Sequence, residues 1–371
     1  SCKSGKWYET HPYRARANNS LCILRHRIRQ KTFEDLWERI RLSGSGEPGI
    51  FLTHSNELGV NPCGEVSLRN LQVCNLTTIN ASDVASQEDL NSRARVAAFI
   101  GTLQASYTDF HYLREGWQDT TEKEALLGVG LAGIASGQVL ELNLTEAAAI
   151  VITENRRVAK LIGIRPAART TLVKPDGNSS CVLGVSSGIH AWHSKNYIRR
   201  IRVGKNEAIY KYLSRALPRF VEDDVFNPSQ QALISLPIKA PDGAITRDES
   251  ALSLLRRVKK VYEQWVLPGH ISGDNTHNVS ATISIGSEDE WSRVGEWMWE
   301  NRDYYNGLTV LPRDMGSYVQ TPFEEINKAT FDDMAQHLRK IDLTKVSEEE
   351  DNTELKGEIA CGGANGSCEI R

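Results

Sequence analysis

Apolar and polar residues along this chain alternate between two periods, one near three to four residues and one made of short apolar runs. Residues 32–43, TFEDLWERIRLS, have the first period and read as an amphipathic helix with Thr32 as its N-cap and Asp35 near the positive end of the helix dipole. The run GSGEPG at 44–49 stops it, and residues 50–53 read as a short strand. Residues 56–71 are rich in Asn, Gly and Pro around one Cys and two Glu, the pattern of a loop that carries polar chemistry. Helical spacing returns over 87–106 and 121–137, where GVGLAG from Gly128 would permit close helix packing, and again over 145–161. The β-branched run RTTLV then predicts a buried strand entering the turn KPDGNSS. The alternation continues through YIRRIRV, a helix over 252–266, the strand-like HNVSATISI, a helix over 288–301 and the strand NGLTVLP. An α/β fold with a parallel core is the expectation.

After about residue 320 the pattern changes. A short helix is predicted over 331–340, followed by the acidic run EEED and the tail ELKGEIACGGANGSCEIR, which reads as mobile. The expected organisation is therefore one large body, 1–320, and a short helix with a cysteine-bearing tail, 321–371.

Composition narrows the function classes. The 371 residues carry 44 Lys and Arg against 47 Asp and Glu, a net charge of −3, so there is no basic field for general nucleic-acid or membrane-surface binding. No apolar run reaches the roughly 18 residues of a membrane span, and the first twenty or so residues hold no apolar signal region. A soluble, cytoplasmic protein with no membrane partner is expected. Seven cysteines, an odd number without a compact framework, suggest reduced thiols, and the sequons at Asn75, Asn143 and Asn278 then carry little weight.

The central chemical motif is Asn61-Pro62-Cys63-Gly64-Glu65, with a second cysteine, Cys74, eleven positions after the first. One turn thus gathers a thiol, a carboxylate and an amide. If Cys63 forms a thiyl radical it can abstract a hydrogen atom, Glu65 can act as general base on an adjacent hydroxyl, Asn61 can orient that hydroxyl, and Cys74 can supply reducing equivalents. Spacing alone leaves a plainer alternative, in which Cys63 is a small buried hydrophobe and Glu65 a solvated loop acid. A second motif, TTLVKPDGNSSCVLGVSS at 170–187, leads a strand through a turn into a helix start. Backbone N–H groups and two serine hydroxyls there can bind an anion, or the run is an ordinary turn. A third feature is the pair Cys361 and Cys368 among Gly, Ala, Asn and Ser. A tethered dithiol can reduce a buried disulfide by exchange; half of a metal site is the alternative, although no matching Cys or His pair accompanies it.

On these residues the chain resembles the ribonucleotide reductases, whose active-site loop reads Asn-x-Cys-x-Glu, and in particular their adenosylcobalamin-dependent (class II) branch. The resemblance implies that Cys63 is the thiyl position that takes the ribose 3′ hydrogen, Glu65 the base at the 3′-hydroxyl, and Asn61 the hydroxyl-binding amide. It implies that Cys74 is one of two cysteines that reduce the 2′ carbon and end as a disulfide. Pro175, Asp176, Gly177, Asn178, Ser179 and Ser180 resemble the substrate-phosphate positions, and SSGIHAWHSKNYIRRIRV after them is typical of the same branch. Cys361 and Cys368 resemble a redox shuttle serving thioredoxin or a similar dithiol, with wider spacing than the usual tail. The implied cofactor is adenosylcobalamin, the substrate a ribonucleotide with a lean toward triphosphates, and no metal bound directly by side chains is expected.

The resemblance covers about the later half of the family's catalytic chain. The implied fold is the second half of a ten-stranded α/β barrel, with a finger loop at 56–75 and a phosphate loop at 174–180. Its implied partner is an N-terminal half on a second polypeptide. Ser1-Cys2 is compatible with a splice junction and equally with truncation. Two other readings stay open: a fragment of an oxygen-dependent reductase large subunit, and a noncatalytic nucleotide-binding module. Asp109-Phe110-His111 has part of a cobalamin-binding signature, but Arg114 stands where that signature has Gly, so it is set aside. Tyr304-Tyr305 reads as packing, and Cys2, Cys22 and Cys181 as structural. His190, His193 and His277 are candidates to line a nucleotide pocket or simply to be hydrogen-bonded.

Overall fold

A computed structural model describes residues 7–11, 13–14, 19–313, 319–347, 359–361 and 368–370. By its contacts the chain divides into two compact units, Ser1–Ala191 with Glu249–Arg313 and Ile359–Arg371, and Trp192–Asp248 with Asp314–Glu358.

The first unit runs α1 (Trp7–Thr10), β1 (Ser20–Leu24), α2 (Gln30–Leu42), β2 (Gly49–Thr53), β3 (Leu58–Val60), β4 (Ser67–Arg69), β5 (Asn75–Asn80), α3 (Gln87–Gln104), α4 (Gly116–Glu124), β6 (Leu127–Ala132), α5 (Leu144–Ile162) and α6 (Gly177–Leu183). It resumes with α8 (Ala251–Val261), β10 (Thr282–Ile285), α9 (Glu288–Glu300) and β11 (Gly307–Pro312). One sheet has the order β1-β2-β11-β10, with parallel outer pairs and an antiparallel join of β2 to β11. A second pairing is β5 with β6, parallel, with Asn75 opposite Leu127.

The core follows from side-chain spacing. Phe33, Leu36, Trp37 and Ile40 make one buried face of α2, and that face meets α9, where the Trp37 indole donates to the Trp291 carbonyl at 2.9 Å. The close approach needs Gly295, since a Cβ there would stand 2.4 Å from Trp37 Nε1. Each such large side chain taken fully out of water contributes about 1.5–3 kcal/mol before conformational entropy is counted.

Several sequence expectations are corrected here. The helix α2 begins at Gln30, and its N-cap, Arg29, makes no side-chain cap; Thr32 lies inside the helix, where its hydroxyl cannot cap. The predicted helix at 121–137 is broken by a strand at its centre. The helix stops at Glu124, Ala125 turns left-handed at φ 43°, and β6 follows with every residue buried. Burial on both faces removes the period-2 signature, which is why the run was misread. Gly128 serves strand packing, since a Cβ there would meet Leu76 and Leu172 at 2.5 Å. The loop at 56–71 contains an antiparallel hairpin, β3 with β4.

RTTLV, expected as a buried strand, is buried but makes only isolated bridges, at Arg169, Thr171 and Val173, and links two elements. Leu127 and Val129 donate to the carbonyls of Arg169 and Thr170 at 3.1 and 2.8 Å, while Val173 donates to Asn278 at 3.1 Å and accepts from Ser280 at 2.8 Å. This segment thus links β6 to the run HNVS at 277–280. The buried Trp265 ties the two together by donating to the carbonyls of Val129 and Leu172.

The second unit contains β7 (Asn196–Gly204), α7 (Ala208–Ala216), β8 (Val221–Asp223), β9 (Gln231–Lys239), β12 (Phe323–Glu325) and α10 (Lys328–Gln336). Its sheet has the order β12-β7-β9-β8 and all its pairs are antiparallel, so the parallel pattern does not extend through YIRRIRV. Leu213, Leu217, Phe220 and Ile234 form its core, with Met334 and Ile341 packed against it. Residues 323–336 thereby join residues 196–239 in one unit, whereas the sequence reading had drawn a boundary at 320. A separate short ladder pairs β13 (Ile359–Cys361) with β14 (Cys368–Ile370). The whole is a mixed α/β fold, and no sheet among the described residues is closed.

Candidate active site

The Asn61–Glu65 motif forms the turn of the β3–β4 hairpin. Gly64 donates to the Asn61 carbonyl at 2.9 Å and takes φ +81°, a left-handed value that favours glycine. Asn61 Oδ1 accepts the Val66 N–H at 2.9 Å, which closes the turn from the side-chain side. The turn is then pinned from outside. Asn278 donates through its amide to the carbonyls of Gly64 and Gly307 at 2.9 and 2.8 Å and through its backbone to Glu65, while Asn306 N–H donates to Asn278 Oδ1. Ser280 donates to the Cys63 carbonyl.

These anchors give the two reactive groups different settings. Cys63 is exposed; its thiol is pushed up first by partial burial and then by Glu65, with Lys174 pulling the other way. Glu65 is 2% exposed and its Oε2 has no hydrogen-bond partner. Burial raises its carboxyl above the usual range, against the opposing pull of a hydrogen bond from Asn61 and the charge of Lys174. The plainer expectation of a buried Cys63 and a solvated Glu65 is the reverse of what the turn holds.

Cys74 is half-buried just before β5, with Sγ 3.9 Å from His277 Nε2. Burial pushes this thiol far up, and Arg169 pulls it down. Arg169 is itself buried and pairs with Glu124 at 2.7 Å, and Glu124 also accepts from Arg69 at 3.1 Å and Gln72 at 2.8 Å. Burial would raise the Glu124 carboxyl, but the Gln72 hydrogen bond and the two guanidinium groups hold it below its usual value.

The loop at 174–180 brings Asp176 inward. Asp176 is 3% exposed with φ +54°, its Oδ1 accepts the Thr78 hydroxyl at 2.9 Å, and Lys174 Nζ lies 3.4 Å from it. Its Oδ2 has no hydrogen-bond partner, and burial raises its carboxyl, with Lys174 opposing. Pro175 offers its carbonyl to the Ser187 hydroxyl, and Ser180 is buried with its hydroxyl directed to the Gly177 carbonyl at 3.3 Å. Gly177 and Asn178 are exposed and Ser179 is half-buried. The available positive charge in this loop is Lys174, which the sequence reading passed over although it lies in the same KPDGNSS run.

The remaining candidates scatter. His190 is half-buried and structural, accepting the Thr282 N–H at 2.9 Å, while His193 belongs to the second unit, where it stacks on Phe323. Tyr305 is buried and donates to the Met298 carbonyl, and Lys259 sits 3.8 Å over the Tyr304 ring, both packing roles. Asp109 and His111 pair at 3.3 Å in an exposed position. Cys22 is exposed in β1, and Cys181 directs its thiol to the Gly177 carbonyl. Cys361 stands opposite Cys368 in the β13–β14 register; their side chains and Cys2 lie outside the described residues. Sequence reasoning missed Asn278, Ser280, Thr78, Arg169 and Glu124. The only local signal was a run of polar residues, HNVS, leading into an apolar strand.

No protein-family model matches the chain. A fold built around this loop is similar to the solved crystal structure of a B-12 dependent (class II) ribonucleotide reductase, with a TM-score of 0.71 at 21% identity, covering 86% of this chain and 49% of that one. In sequence the chain is similar to the adenosylcobalamin-dependent ribonucleoside-triphosphate reductase of Euglena gracilis, 25% identical over 90% of this chain and 47% of that protein. The protein of the same name from Lactobacillus acidophilus is 25% identical over 89% of this chain and 47% of its own length. The chain spans about half the length of the curated relatives it matches.

Proposed function

We propose that this chain carries part of the active site of an adenosylcobalamin-dependent reductase that converts ribonucleotides, of the triphosphate class its relatives are named for, to 2′-deoxyribonucleotides. The observation that carries this reading is the pinned turn, which exposes Cys63 while burying Glu65 beside it. In it Cys63 becomes a thiyl radical and abstracts the ribose 3′ hydrogen, Glu65 takes the 3′-hydroxyl proton, and Asn61 holds that hydroxyl. Burial raises the proton affinity of this carboxyl, which suits a proton acceptor. Cys74, with a second cysteine outside this chain, reduces the 2′ carbon and ends as a disulfide.

Adenosylcobalamin supplies the initiating radical by cobalt–carbon homolysis when bound. The exposed Cys63 thiol, anchored through its carbonyl by Ser280, fits the receiving end of that chemistry. No residue is assigned to the corrin, and the exposed Asp109–His111 pair is not given that role. In this reading the loop at 175–180 holds the substrate phosphates through the backbone N–H groups of Gly177, Asn178 and Ser179, with Lys174 as counter-charge. Cys361 and Cys368 pass electrons from thioredoxin or a similar dithiol to the Cys74 disulfide. The fold then contributes the second half of a ten-stranded barrel, completed by an N-terminal half.

The test is reconstitution. This chain, mixed with a candidate N-terminal half, is assayed for deoxynucleotide formation with adenosylcobalamin and a dithiol, beside each half alone. Product only in the full mixture supports the reading; two folded, associated halves that make none overturn it.

A further inference from the structure

The residue directly behind Cys74 has a defined proton arrangement. His277 is 1% exposed, and its Nε2 lies 2.9 Å from the Leu127 carbonyl oxygen and 3.9 Å from Cys74 Sγ. A carbonyl oxygen only accepts, so Nε2 carries the hydrogen and Nδ1, which is buried and has no hydrogen-bond partner, is a bare lone pair. Strand pairing produces this geometry: Asn75 stands opposite Leu127 in the parallel β5–β6 ladder, and Asn75 N–H and side-chain amide both donate to the Leu126 carbonyl, at 3.0 and 3.1 Å. The ladder therefore brings Cys74 and the Leu127 carbonyl to the same imidazole edge.

The charges around the ring keep it neutral. Burial first, then Arg169, hold the His277 imidazole down at about 3, with His270 adding to the effect and the Leu127 carbonyl and Glu124 opposing it. His277 is thus neutral at working pH. It is a fixed N–H donor.

We propose that His277 is a positioning residue for Cys74, sharing the Nε2–H held by the Leu127 carbonyl with the cysteine sulfur and favouring its thiolate form. This rests on the reading of Cys74 as a two-electron reductant, whose sulfur reacts as thiolate to end in a disulfide and is released as thiolate when dithiol exchange reduces that disulfide. The charged groups that face Cys74 are Arg169, which favours the same form, and Glu65, which opposes it. A hydrogen bond to the ionised sulfur offsets part of the cost of burying it.

The experiment is peptide-resolved alkylation of the full chain by iodoacetamide from neutral to strongly alkaline pH. His277→Phe should move the Cys74 midpoint to higher pH and slow the reaction below that midpoint by about tenfold, the worth of one hydrogen bond to a charged group. The Cys63 profile should not move, and His277→Gln, which keeps an amide donor, should recover most of the shift. The midpoint decides: a folded His277→Phe chain with the wild-type Cys74 midpoint overturns the proposal, even if changed access alters the rate. Should that variant misfold, 15N NMR of histidine in the wild-type chain is the second reading. It should show a neutral Nε2–H tautomer throughout, with a signal that moves when Cys74 is alkylated; an Nδ1–H tautomer or protonation near neutrality overturns the proposal. No nucleotide enters either measurement, so failure here leaves the reductant role of Cys74 to be judged separately by Cys74→Ser in the reconstituted reaction.

Discussion

The two cysteines of the finger loop stand eleven residues apart and in contrasting surroundings. Cys63 sits exposed on a turn, beside a buried carboxyl that has one oxygen without a partner. Cys74 is half-buried against a network in which Glu124 accepts from Arg169, Arg69 and Gln72. The first arrangement leaves a thiol open to an incoming group and keeps a carboxyl buried beside it. The second sets a sulfur beside the His277 ring nitrogen and the Arg169 charge. In the proposed reading, one-electron chemistry falls to the exposed thiol and two-electron chemistry to the half-buried one.

The largest expected effect breaks the comparison at the tip. Cys63→Ala should lower reconstituted reduction by on the order of a thousandfold or more, while thermal denaturation of the chain changes by less than about 0.5 kcal/mol because the side chain is exposed. An equal loss of stability would assign Cys63 a structural role instead.

At the base the balance should be inverted. Glu124→Ala leaves the buried Arg169 guanidinium without its ion partner and should cost about 3–5 kcal/mol in urea unfolding. A cost under about 1 kcal/mol would mean that water or a neighbour takes over the charge.

Gly64→Ala tests the turn itself. A Cβ there meets nothing closer than Ser280 Oγ at 3.8 Å, so the cost should be the left-handed backbone alone, about 1–2 kcal/mol. Activity should fall with it, since Cys63 and Glu65 flank this residue.

The smallest effect sharpens the comparison through pH. Burial raises the Glu65 carboxyl in the folded chain, so between the unfolded and folded values the folded state binds more protons. Stability contributed by this group is full below the unfolded value, about 4.3, and is lost as pH rises through the folded value. Glu65→Gln removes that loss. Its melting temperature relative to wild type should therefore rise from acid toward neutral pH, and a difference that is flat with pH would show that Glu65 is not held protonated by burial.

Local pattern carried much of the fold. The helices α3, α5 and α9 lie close to their expected limits because each begins at a side-chain cap, Ser86, Asn143 or Ser287, and keeps one apolar face. The motif Asn61–Glu65 was legible because its residue types and spacing are rare together, and the comparisons agree with the family it suggested. What failed failed for physical reasons. β6 is buried on both faces and so shows no alternation, and the second unit is assembled from segments far apart in the chain, Asn196–Gly204 and Phe323–Glu325 among them.

The sequence by itself determined which chemical groups are present and that three of them share one turn, since residue identity and nearest-neighbour spacing are local properties. Tertiary structure alone decided that Cys63 is exposed and Glu65 buried, that Asn278 and Ser280 fasten the turn from more than two hundred residues away, and that Arg169 and His277 stand behind Cys74. Burial, charge and hydrogen-bond partners come from segments distant in sequence, and those are what set the protonation and reactivity of each group.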